Sequence, residues 1–365
     1  MTVEADRQHM AHALGLARRG LGRVWPNPAV GCVVVNEGRI VGRGWTQPGG
    51  RPHAETVALA AAGAAARGAT AYVTLEPCAH HGRTPPCAEA LIAAGVARVV
   101  SSLEDPDPRV AGRGHAMLRA AGLRVDVGLL AGEAAALQQG FLSRIRLGRP
   151  MLTLKLAATL DGRIATAAGE SQWITGAEAR RRVHAMRATH DAVLVGAGTV
   201  RADDPSLTVR DLGARHQPVR VVASRNLDLP LDGQLARTAR EVPVWLLHGV
   251  SAPQDACHYW EHKGARPIEV PEAKGGLDPA AMLAALGREG LTRVFCEGGG
   301  QLAASLLGAG LVDNLAVFAA GTMLGADGRP AVGPLGLQVL ASAPRFRFGS
   351  VERIGGDTLS LWSRA

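Results

Sequence analysis

The sequence predicts an α/β protein of two domains, and three observations support this prediction. The chain has 365 residues, which is long for a single hydrophobic core. Strand-like and helix-like segments alternate along each half, as in sheets that carry helices on both faces. A glycine and proline cluster, Leu147-Gly148-Arg149-Pro150, interrupts this alternation and ends a predicted helix. We therefore expect one domain at residues 1–148 and a second at residues 149–365.

The first half begins with an amphipathic helix and a hairpin. Met10, Leu14 and Ala17 share one face of a helix predicted over residues 3–19. Two apolar strands then flank Asn36-Glu37-Gly38-Arg39, a hairpin signal. The elements predicted after them are helices at residues 53–66, 87–94, 112–121 and 132–146, and strands at residues 71–75, 96–101 and 123–128.

The second half begins again with an apolar strand over residues 151–157, and an arginine-rich helix is predicted at residues 177–188. Glycine or serine follows several of the later strands, which is typical of strand ends that carry a site. These further elements are strands at residues 192–195, 219–223, 244–247, 294–296 and 315–318, a helix at 301–307, and strands within 345–362.

One histidine and two cysteines in the first half are ligands of the type that zinc prefers. They are His53, Cys78 and Cys87, and the histidine and the second cysteine stand at predicted helix starts. Catalytic zinc takes three protein ligands and leaves a fourth position for water. Glu55 is close enough to handle protons without being a ligand, as in zinc deaminases of bases. We therefore expect one Zn²⁺ per chain and a hydrolytic deaminase, with two metal-free buried cysteines as the alternative.

Eight residues separate the two cysteines, whereas the general deaminase pattern has two. The intervening segment, residues 79–86, carries two histidines, an arginine and a threonine. Polar groups at the mouth of a site favour a substrate with a charged or hydroxyl-rich tail. A solvated loop is the alternative interpretation of this segment.

Glycines follow two strands of the second half, as expected of a site for a phosphate-bearing dinucleotide. Glu297-Gly298-Gly299-Gly300 opens a predicted helix, and Gly196-Ala197-Gly198 follows another strand. Backbone N–H groups at a helix start receive anions, and glycine lets them come close. Ser224-Arg225 would suit a 2′-phosphate, which favours NADP over NAD. A tight turn and a solvated arginine are the alternatives for these features.

Charge and composition exclude several classes of protein. The net charge of +8 is spread over both halves, and aromatic residues make up 4%, which is few for stacking nucleic-acid bases. The 5 cysteines lack the spacing of a disulfide scaffold, so a reduced, cytoplasmic protein is expected. No run approaches the roughly 18 apolar residues of a membrane helix. We expect a small phosphorylated substrate, no nucleic acid, no membrane, and a homo-oligomer, either a dimer or a tetramer.

Two motifs of the first half carry a family resemblance. The run from Cys78 to Cys87 and the run Asn27-Pro28-Ala29-Val30-Gly31 resemble segments of the bifunctional riboflavin-biosynthesis enzymes of the RibD type. The resemblance implies a cytidine-deaminase-like α/β/α domain acting on 2,5-diamino-6-(5-phosphoribosylamino)pyrimidin-4(3H)-one. It also implies that the ring and its phosphoribosyl tail are held by Asn27, His80, Arg83 and Thr84.

Four segments of the second half resemble the reductase half of the same family, at residues 155–162, 169–175, 202–210 and 297–300. The resemblance implies a dihydrofolate-reductase-like α/β domain in which NADPH reduces the ribosyl group to ribityl. It places against NADPH the residues Ala157, Trp173, Thr199, Asp203, Ser224, Gly299, Gly300, Gln301 and Ser305. It places against the sugar phosphate the residues Lys155, Ser171, Arg187, Leu207, Arg210 and Glu297. Asp203 and Lys155 are candidates for the proton donor.

Two other functions remain open from the sequence. A nucleic-acid-editing deaminase with an accessory nucleotide-binding domain would bind RNA or DNA in a salt-dependent way. A non-catalytic sensor would use the cysteines in a structural zinc site, with His80 or His81 as a fourth ligand. The dispersed charge and the few aromatic residues count against the editing enzyme.

Overall fold

A computed structural model of the chain describes residues 2–81, 85–108, 110–214 and 216–365. The chain divides into two compact units between Gly148 and Arg149, and each unit has its own main sheet. None of the described helices has both the length and the apolar composition that crossing a bilayer requires.

The first unit is built on a five-stranded mixed sheet with helices on both faces, as predicted. Its elements are α1 (Val3–Ala17), β1 (Gly31–Asn36), β2 (Arg39–Trp45), α2 (Ala54–Ala62), β3 (Thr70–Val73), α3 (Cys87–Ala93), β4 (Arg98–Ser101), α4 (Arg113–Ala120), β5 (Arg124–Val127) and α5 (Ala131–Leu147). The strand order is β2-β1-β3-β4-β5. β1 is antiparallel to β2 and β3, whereas β3, β4 and β5 run parallel.

Alternate residues of β1 are buried on opposite faces of this sheet. Cys32 and Val34 pack in a core that includes α2, α3 and α4, whereas Val33 and Val35 pack in a core that includes α1 and the start of α5. A strand buried on both faces has no need of polar residues at alternate positions. This explains why β1 is a continuous apolar run.

The turn between β1 and β2 is the predicted two-residue hairpin turn. Glu37 and Gly38 have φ angles of 48° and 77°, in the left-handed region that a type I′ turn requires at both central positions. Asn36 pairs with Arg39 across the turn, and a β-bulge between Val34 and Val35 then shifts the pairing by one residue, so that Cys32 lies opposite Gly44.

Two glycines of β2 determine how closely α2 approaches the sheet. A Cβ atom at Gly44 would lie 2.1 Å from the Ala54 carbonyl oxygen, and one at Gly42 would lie 2.1 Å from the Ala58 carbonyl oxygen. The helix backbone therefore lies directly on the strand, where no side chain fits. Because α2 begins beside His53, this contact places the first candidate metal ligand.

The second unit is built on a nine-stranded sheet in the order β11-β10-β9-β8-β14-β6-β15-β18-β17. Its elements are β6 (Met151–Thr159), β7 (Arg163–Ala165), α6 (Ala177–Arg187), β8 (Ala192–Gly196), α7 (Ala197–Asp203), β9 (Val219–Ala223), α8 (Gln234–Arg237), β10 (Val244–His248), α9 (Gln254–Lys263), β11 (Arg266–Glu269), β12 (Glu272–Ala273), β13 (Gly276–Leu277), α10 (Pro279–Arg288), β14 (Arg293–Cys296), α11 (Gly300–Gly308), β15 (Asn314–Ala320), β16 (Arg329–Pro330), β17 (Phe346–Ile354) and β18 (Asp357–Arg364). The strands from β11 to β15 in this order are parallel, and the hairpin of β17 and β18 is antiparallel.

Several boundaries and elements differ from the sequence predictions. The α-helical part of α2 ends at Ala62, where Gly63 adopts a φ of 53°, and the rest of the predicted helix is a 3-10 helix (Gly63–Ala66). β3 ends at Val73, before the predicted residue 75. No element is predicted for residues 254–288, where the structure has α9 to α10. The charged and aromatic residues of α9, of which only Trp260 is buried, hide its helical period.

A partly buried ionic network joins α1 to the sheet of the first unit. The Asp6 carboxylate accepts two hydrogen bonds from Arg98, at 3.0 and 2.8 Å, and one from the Tyr72 hydroxyl at 2.5 Å. Arg98 also donates to Asp126 at 2.7 Å. The Arg98 guanidinium holds the pKa of the Asp6 carboxyl below its ordinary value.

We predict that Asp6→Asn destabilises the first unit by about 2 kcal/mol near neutral pH, within the range for hydrogen bonds to charged groups. The folded-state pKa of Asp6 lies below the unfolded value of about 4. The charge-dependent stabilisation is therefore complete above the unfolded value and is lost as the pH falls through the folded-state pKa. Urea unfolding of variant and wild type at a series of pH values measures this difference.

The control is Glu4→Gln, which changes an exposed carboxylate on the same helix and should alter stability by less than about 0.5 kcal/mol. A stability difference between Asp6→Asn and wild type that stays constant during acidification would contradict the assigned role of the Asp6 charge.

Candidate functional site

The structure brings the three predicted metal ligands of the first unit together. The His53 Nδ1 atom lies 3.2 Å from the Cys87 Sγ atom and 3.7 Å from the Cys78 Sγ atom. All three donor atoms lie within 4.8 Å of one another. A tetrahedral zinc ion at ordinary bond lengths separates its nitrogen and sulfur ligands by about 3.6 to 3.8 Å. The donor set therefore fits zinc in chemistry. The His53–Cys78 distance is already in this range, and the His53–Cys87 distance of 3.2 Å would lengthen by about 0.4 Å around the ion.

Each ligand is held by the start of a helix or the end of a strand. His53 is the N-cap residue of α2, Cys87 is the first residue of α3, and Cys78 follows β3. The Cys87 backbone N–H donates to the Cys78 sulfur at 3.3 Å, and the Ala88 N–H donates to the Cys78 carbonyl oxygen at 3.2 Å. These two hydrogen bonds join the two cysteine segments.

The two cysteine thiols of this site have pKa values shifted in opposite directions. A hydrogen bond from the Cys87 thiol, with smaller help from His53, lowers the pKa of Cys78 to about 4 despite its burial. The same hydrogen bond, together with burial, raises the pKa of Cys87. Cys78 is therefore the sulfur that becomes a thiolate first, and a thiolate is the form that binds metal.

Glu55 lies in the first turn of α2 and is 3% exposed. Burial, and then the negative charge of Cys78, raise the pKa of this carboxyl to about 7. His53 acts in the opposite direction with a smaller effect. A carboxyl group with this pKa can take up and release a proton near neutral pH.

The other predicted residues of this site lie in the flanking loops. Asn27 packs against Gly50, where a Cβ atom would lie 1.9 Å from the Asn27 Nδ2 atom, so it contacts the loop that leads to His53. His80 has a buried Nδ1 atom without a hydrogen-bond partner among the described residues. Neither His80 nor His81 belongs to the donor group around His53. The predicted residues Arg83 and Thr84 lie outside the described residues.

A buried ion pair stands at the corresponding edge of the second unit. Glu297 follows β14, and Arg187 is the last residue of α6. The Arg187 Nε and Nη2 atoms donate to the two Glu297 oxygens at 2.5 and 3.1 Å, and Nη1 donates to the Thr208 carbonyl oxygen at 2.8 Å. Arg187 therefore joins Glu297 to the loop after α7, and three of its five N–H groups are committed to the protein.

Lys155 and Asp203 are electrostatically coupled to this ion pair. Burial lowers the pKa of Lys155, although Glu297 acts to raise it. Burial raises the pKa of Asp203, and Lys155 acts to lower it. For Glu297, burial is outweighed by Arg187 and Lys155, so its pKa is lowered and it stays ionised. The four groups form one charged cluster with alternating signs.

The loop after α7 carries two further predicted residues. Leu207 is 3% exposed and has a φ of 54°, an uncommon backbone conformation for a branched residue. The exposed Arg210 donates to the Ser206 hydroxyl at 2.8 Å. His184, which the sequence analysis missed, lies 3.1 Å from the Thr208 carbonyl oxygen through Nδ1. Its position three residues before Arg187 on a helix is the signal that could have identified it.

Gly299 and Gly300, at the start of α11, lie close to residues of other segments. Gly299 is the N-cap residue of α11 and has no side-chain cap; a Cβ atom there would lie 3.7 Å from the Thr199 Oγ1 atom. A Cβ atom at Gly300 would lie 2.7 Å from the Pro330 carbonyl oxygen. Gln301 and Ser305 are both exposed and lie one turn apart on α11. No hydrogen bond from the first N–H groups of α11 is made to another described residue, so these groups can receive an anion beside Thr199.

Ser224 follows β9 at the same edge of the sheet, and 3% of its surface is exposed. Its neighbour Arg225 retains a side-chain exposure of 48% and has a nitrogen 3.9 Å from a Glu272 carboxylate oxygen. That distance is at the limit of an ion pair and leaves Arg225 available to an anion, although Glu272 adds a negative charge nearby.

Three predicted residues are less closely connected to this edge. Ala157 lies on β6 and pairs with β15. Trp173 is 69% exposed and stacks beneath the Arg180 guanidinium, 4.4 Å from the ring centre. Among the hydrogen bonds, ion pairs and ring contacts of the described residues, none joins Trp173 or Ser171 to Glu297 or to the glycines.

Two family models match the chain. Residues 3–103 match the cytidine and deoxycytidylate deaminase zinc-binding region. Residues 150–360 match the RibD C-terminal domain. Each model falls within one structural unit, and the predicted deaminase-like and reductase-like fold classes are thereby confirmed.

Full-length relatives carry both parts in the same order. The chain is 48% identical over 360 residues to the riboflavin biosynthesis protein RibD of Escherichia coli (strain K12), covering 96% of this chain and 97% of that protein. It is 40% identical over 364 residues to the RibD of Aquifex aeolicus (strain VF5), covering 100% of each.

Solved structures agree over the whole chain. Acinetobacter baumannii RibD, form 1, matches with a TM-score of 0.90 and 38% identity over 100% of both chains. A Thermotoga maritima diaminohydroxyphosphoribosylaminopyrimidine deaminase/5-amino-6-(5-phosphoribosylamino)uracil reductase matches with a TM-score of 0.87 and 33% identity, over 100% of this chain and 99% of that one. Sequence motifs, domain order and fold thus agree, and the chain belongs to the RibD family of riboflavin biosynthesis proteins.

Proposed function

We propose that this chain catalyses two successive steps of riboflavin biosynthesis. The first unit would deaminate 2,5-diamino-6-(5-phosphoribosylamino)pyrimidin-4(3H)-one at C2, and the second would reduce the ribosyl group of the product to ribityl. The observation that carries the proposal is the pair of sites within one RibD-family chain. One is a three-ligand zinc set beside a buried carboxylate, and the other is a buried charged cluster beside a glycine-rich helix start.

Zinc would be held by His53, Cys78 and Cys87, and when bound it makes water a nucleophile by lowering its pKa to about 7. Deamination forms a C–O bond at C2 and breaks the C–N bond to the departing amino group. We assign Glu55 to protonate the ring nitrogen and to carry protons to the leaving ammonia. Its burial in the first turn of α2, and its pKa of about 7, suit both transfers.

NADPH, when bound, supplies the hydride that reduces C1 of the ribosylamine. The free N–H groups at the start of α11, with Thr199 beside them, would receive its phosphates. Glu297 stays ionised and would accept hydrogen bonds from the sugar hydroxyls, while Arg187 holds it in place. Lys155 and Asp203 remain the candidates for the proton donor, because burial shifts both pKa values toward neutrality.

The nucleic-acid-editing alternative is not favoured, because RibD proteins match the chain over its whole length. The structural-zinc alternative needs a fourth protein ligand, and the donor group in the described residues has three members. Homo-oligomer formation, a cytoplasmic location and the absence of a nucleic-acid partner stay predictions.

The test of the proposed function is NADPH oxidation by the purified full chain, supplied with the diaminopyrimidinone ribosylamine phosphate. Wild type should release ammonia and oxidise NADPH. If it oxidises NADPH with neither this compound nor its deaminated form, the reductase assignment is wrong. If zinc is removed and ammonia is still released at the wild-type rate, the deamination step does not depend on the metal and the zinc assignment is wrong.

We predict that Glu55→Gln keeps its zinc and loses at least about 100-fold in deamination rate, the lower range for general acid–base catalysis. The amide keeps the size of the side chain but cannot exchange a proton. NADPH oxidation by this variant should return when the deaminated compound is supplied directly. A deamination rate within about threefold of wild type would remove Glu55 from the mechanism.

We predict that Glu297→Gln lowers kcat/KM for reduction by roughly 10- to 150-fold, which corresponds to losing a hydrogen bond to a charged group. Its deamination rate should equal that of wild type, so this variant and Glu55→Gln serve as controls for each other. Glu261→Gln, which alters an exposed carboxylate of the same unit, should leave both rates unchanged. Unchanged reduction by Glu297→Gln would contradict the role given to this carboxylate.

A further inference from the structure

Glu76 is a fully buried carboxylate that stands two residues before Cys78. Its side chain is 0% exposed. The Oε2 atom accepts hydrogen bonds from the backbone N–H groups of Asp105 and Gly112, at 3.1 and 3.0 Å. The Oε1 atom accepts from those of Gly114 and His115, at 2.8 and 3.2 Å. Four backbone donors thus converge on one carboxylate, and all of them lie 29 to 39 residues later in the chain.

The four donors belong to one stretch of chain, from the loop after β4 to the first turn of α4. Gly112 is the N-cap residue of α4 and offers no side-chain cap, so Glu76 takes that place from the loop after β3. A negative charge at a helix N-terminus is stabilised by the helix dipole and by the free N–H groups there. The carboxylate therefore attaches this whole stretch to the end of β3.

The next residue, Pro77, is in direct backbone contact with α4. A Cβ atom at Gly114 would lie 1.9 Å from the Pro77 carbonyl oxygen. On the other side, the start of α3 donates through the Cys87 and Ala88 N–H groups to the sulfur and the carbonyl oxygen of Cys78. The segment from Glu76 to Cys78 is thereby held between the starts of α3 and α4.

A second metal site is the other interpretation of this cluster, because donor atoms of Glu76, Glu104 and His115 lie within 4.8 Å of one another. Each Glu76 oxygen already accepts two N–H groups, however, and His115 Nε2 lies 2.8 Å from the Ser101 hydroxyl. Glu104 is exposed. The hydrogen bonds account for the burial of Glu76 without an ion.

We propose that Glu76 is a positioning residue for zinc, whose carboxylate keeps Cys78 at the place where its sulfur meets His53 and Cys87. This inference rests on the proposed function, since it requires that zinc occupies this donor set. Groups that orient metal ligands typically change metal affinity or activity by about 10- to 100-fold when they are altered. Glu76 would act through the backbone of its neighbours and not by touching zinc or substrate.

The test is the rate at which the zinc-loaded full chain releases zinc to an excess of chelator, measured for wild type and Glu76→Gln. Glutamine puts an NH₂ group in place of one carboxylate oxygen, so two of the four backbone donors lose their acceptor. We expect release at least about tenfold faster than in wild type. In the cobalt-substituted protein, the thiolate-to-cobalt absorption bands should shift, because the geometry at Cys78 changes.

Two control variants separate positioning from general stability. Glu104→Gln alters the exposed carboxylate of the same cluster, and Asp6→Asn destabilises the first unit at the ionic network of α1. Both should release zinc at the wild-type rate and keep the wild-type cobalt spectrum. Equal acceleration in Glu76→Gln and Asp6→Asn would overturn the inference, because general loosening would then account for it. A wild-type release rate in Glu76→Gln would overturn it as well.

If Glu76→Gln does not fold, Gly114→Ala provides the same test, because its added methyl group displaces α4 from Pro77 while the carboxylate remains. Faster zinc release by Gly114→Ala supports the inference, and release at the wild-type rate overturns it. Failure of wild type itself to bind zinc is a different result. It would refute the proposed deaminase site and with it the premise of this inference.

Discussion

Parallel strands that lie side by side end at the same edge of a sheet, and both candidate sites depend on this constraint. In the first unit, Cys78 follows β3, and the stretch after the adjacent β4 closes on Glu76. In the second unit, Glu297 and Ser224 follow β14 and β9, and Gly196 is the last residue of β8. These three strands are neighbours in the sheet. Strand order alone therefore gathers residues that are far apart in the chain.

Two buried glutamates of this chain have opposite pKa shifts, because their charged neighbours differ. Glu297 is buried beside Arg187 and Lys155, and these cations keep it ionised. Glu55 is also buried, but the neighbouring charge with the largest effect on its pKa is the negative Cys78 sulfur. His53 has a smaller effect in the opposite direction. The pKa of Glu55 therefore rises instead of falling. One carboxylate can hold a substrate by hydrogen bonds and the other can exchange protons, although both are the same residue type.

Residue types and spacings were sufficient to predict the donor set of His53, Cys78 and Cys87, and the structure brings those atoms together. The strongly apolar strands were also predictable, because each is a short run bounded by turn residues. Glu76 was not predictable, because its four partners lie 29 to 39 residues later in the chain. Nothing in the local sequence indicates which loop will close on a given carboxylate. The coupling of Lys155 to Glu297 likewise arises only from the pairing of β6 with β14.

The close contact between β2 and α2 gives the exposed hairpin turn at Glu37-Gly38 an importance that its location does not suggest. Side chains alternate across a strand, so slipping the β1–β2 pairing by one residue would bring Arg43 beneath the helix where Gly44 now lies. An arginine side chain has no room there, so α2 would move away from the sheet. His53 and Glu55 would then move away from the two cysteines. A one-residue slip that starts at this surface turn would therefore displace the candidate metal ligand His53, which follows the far end of β2.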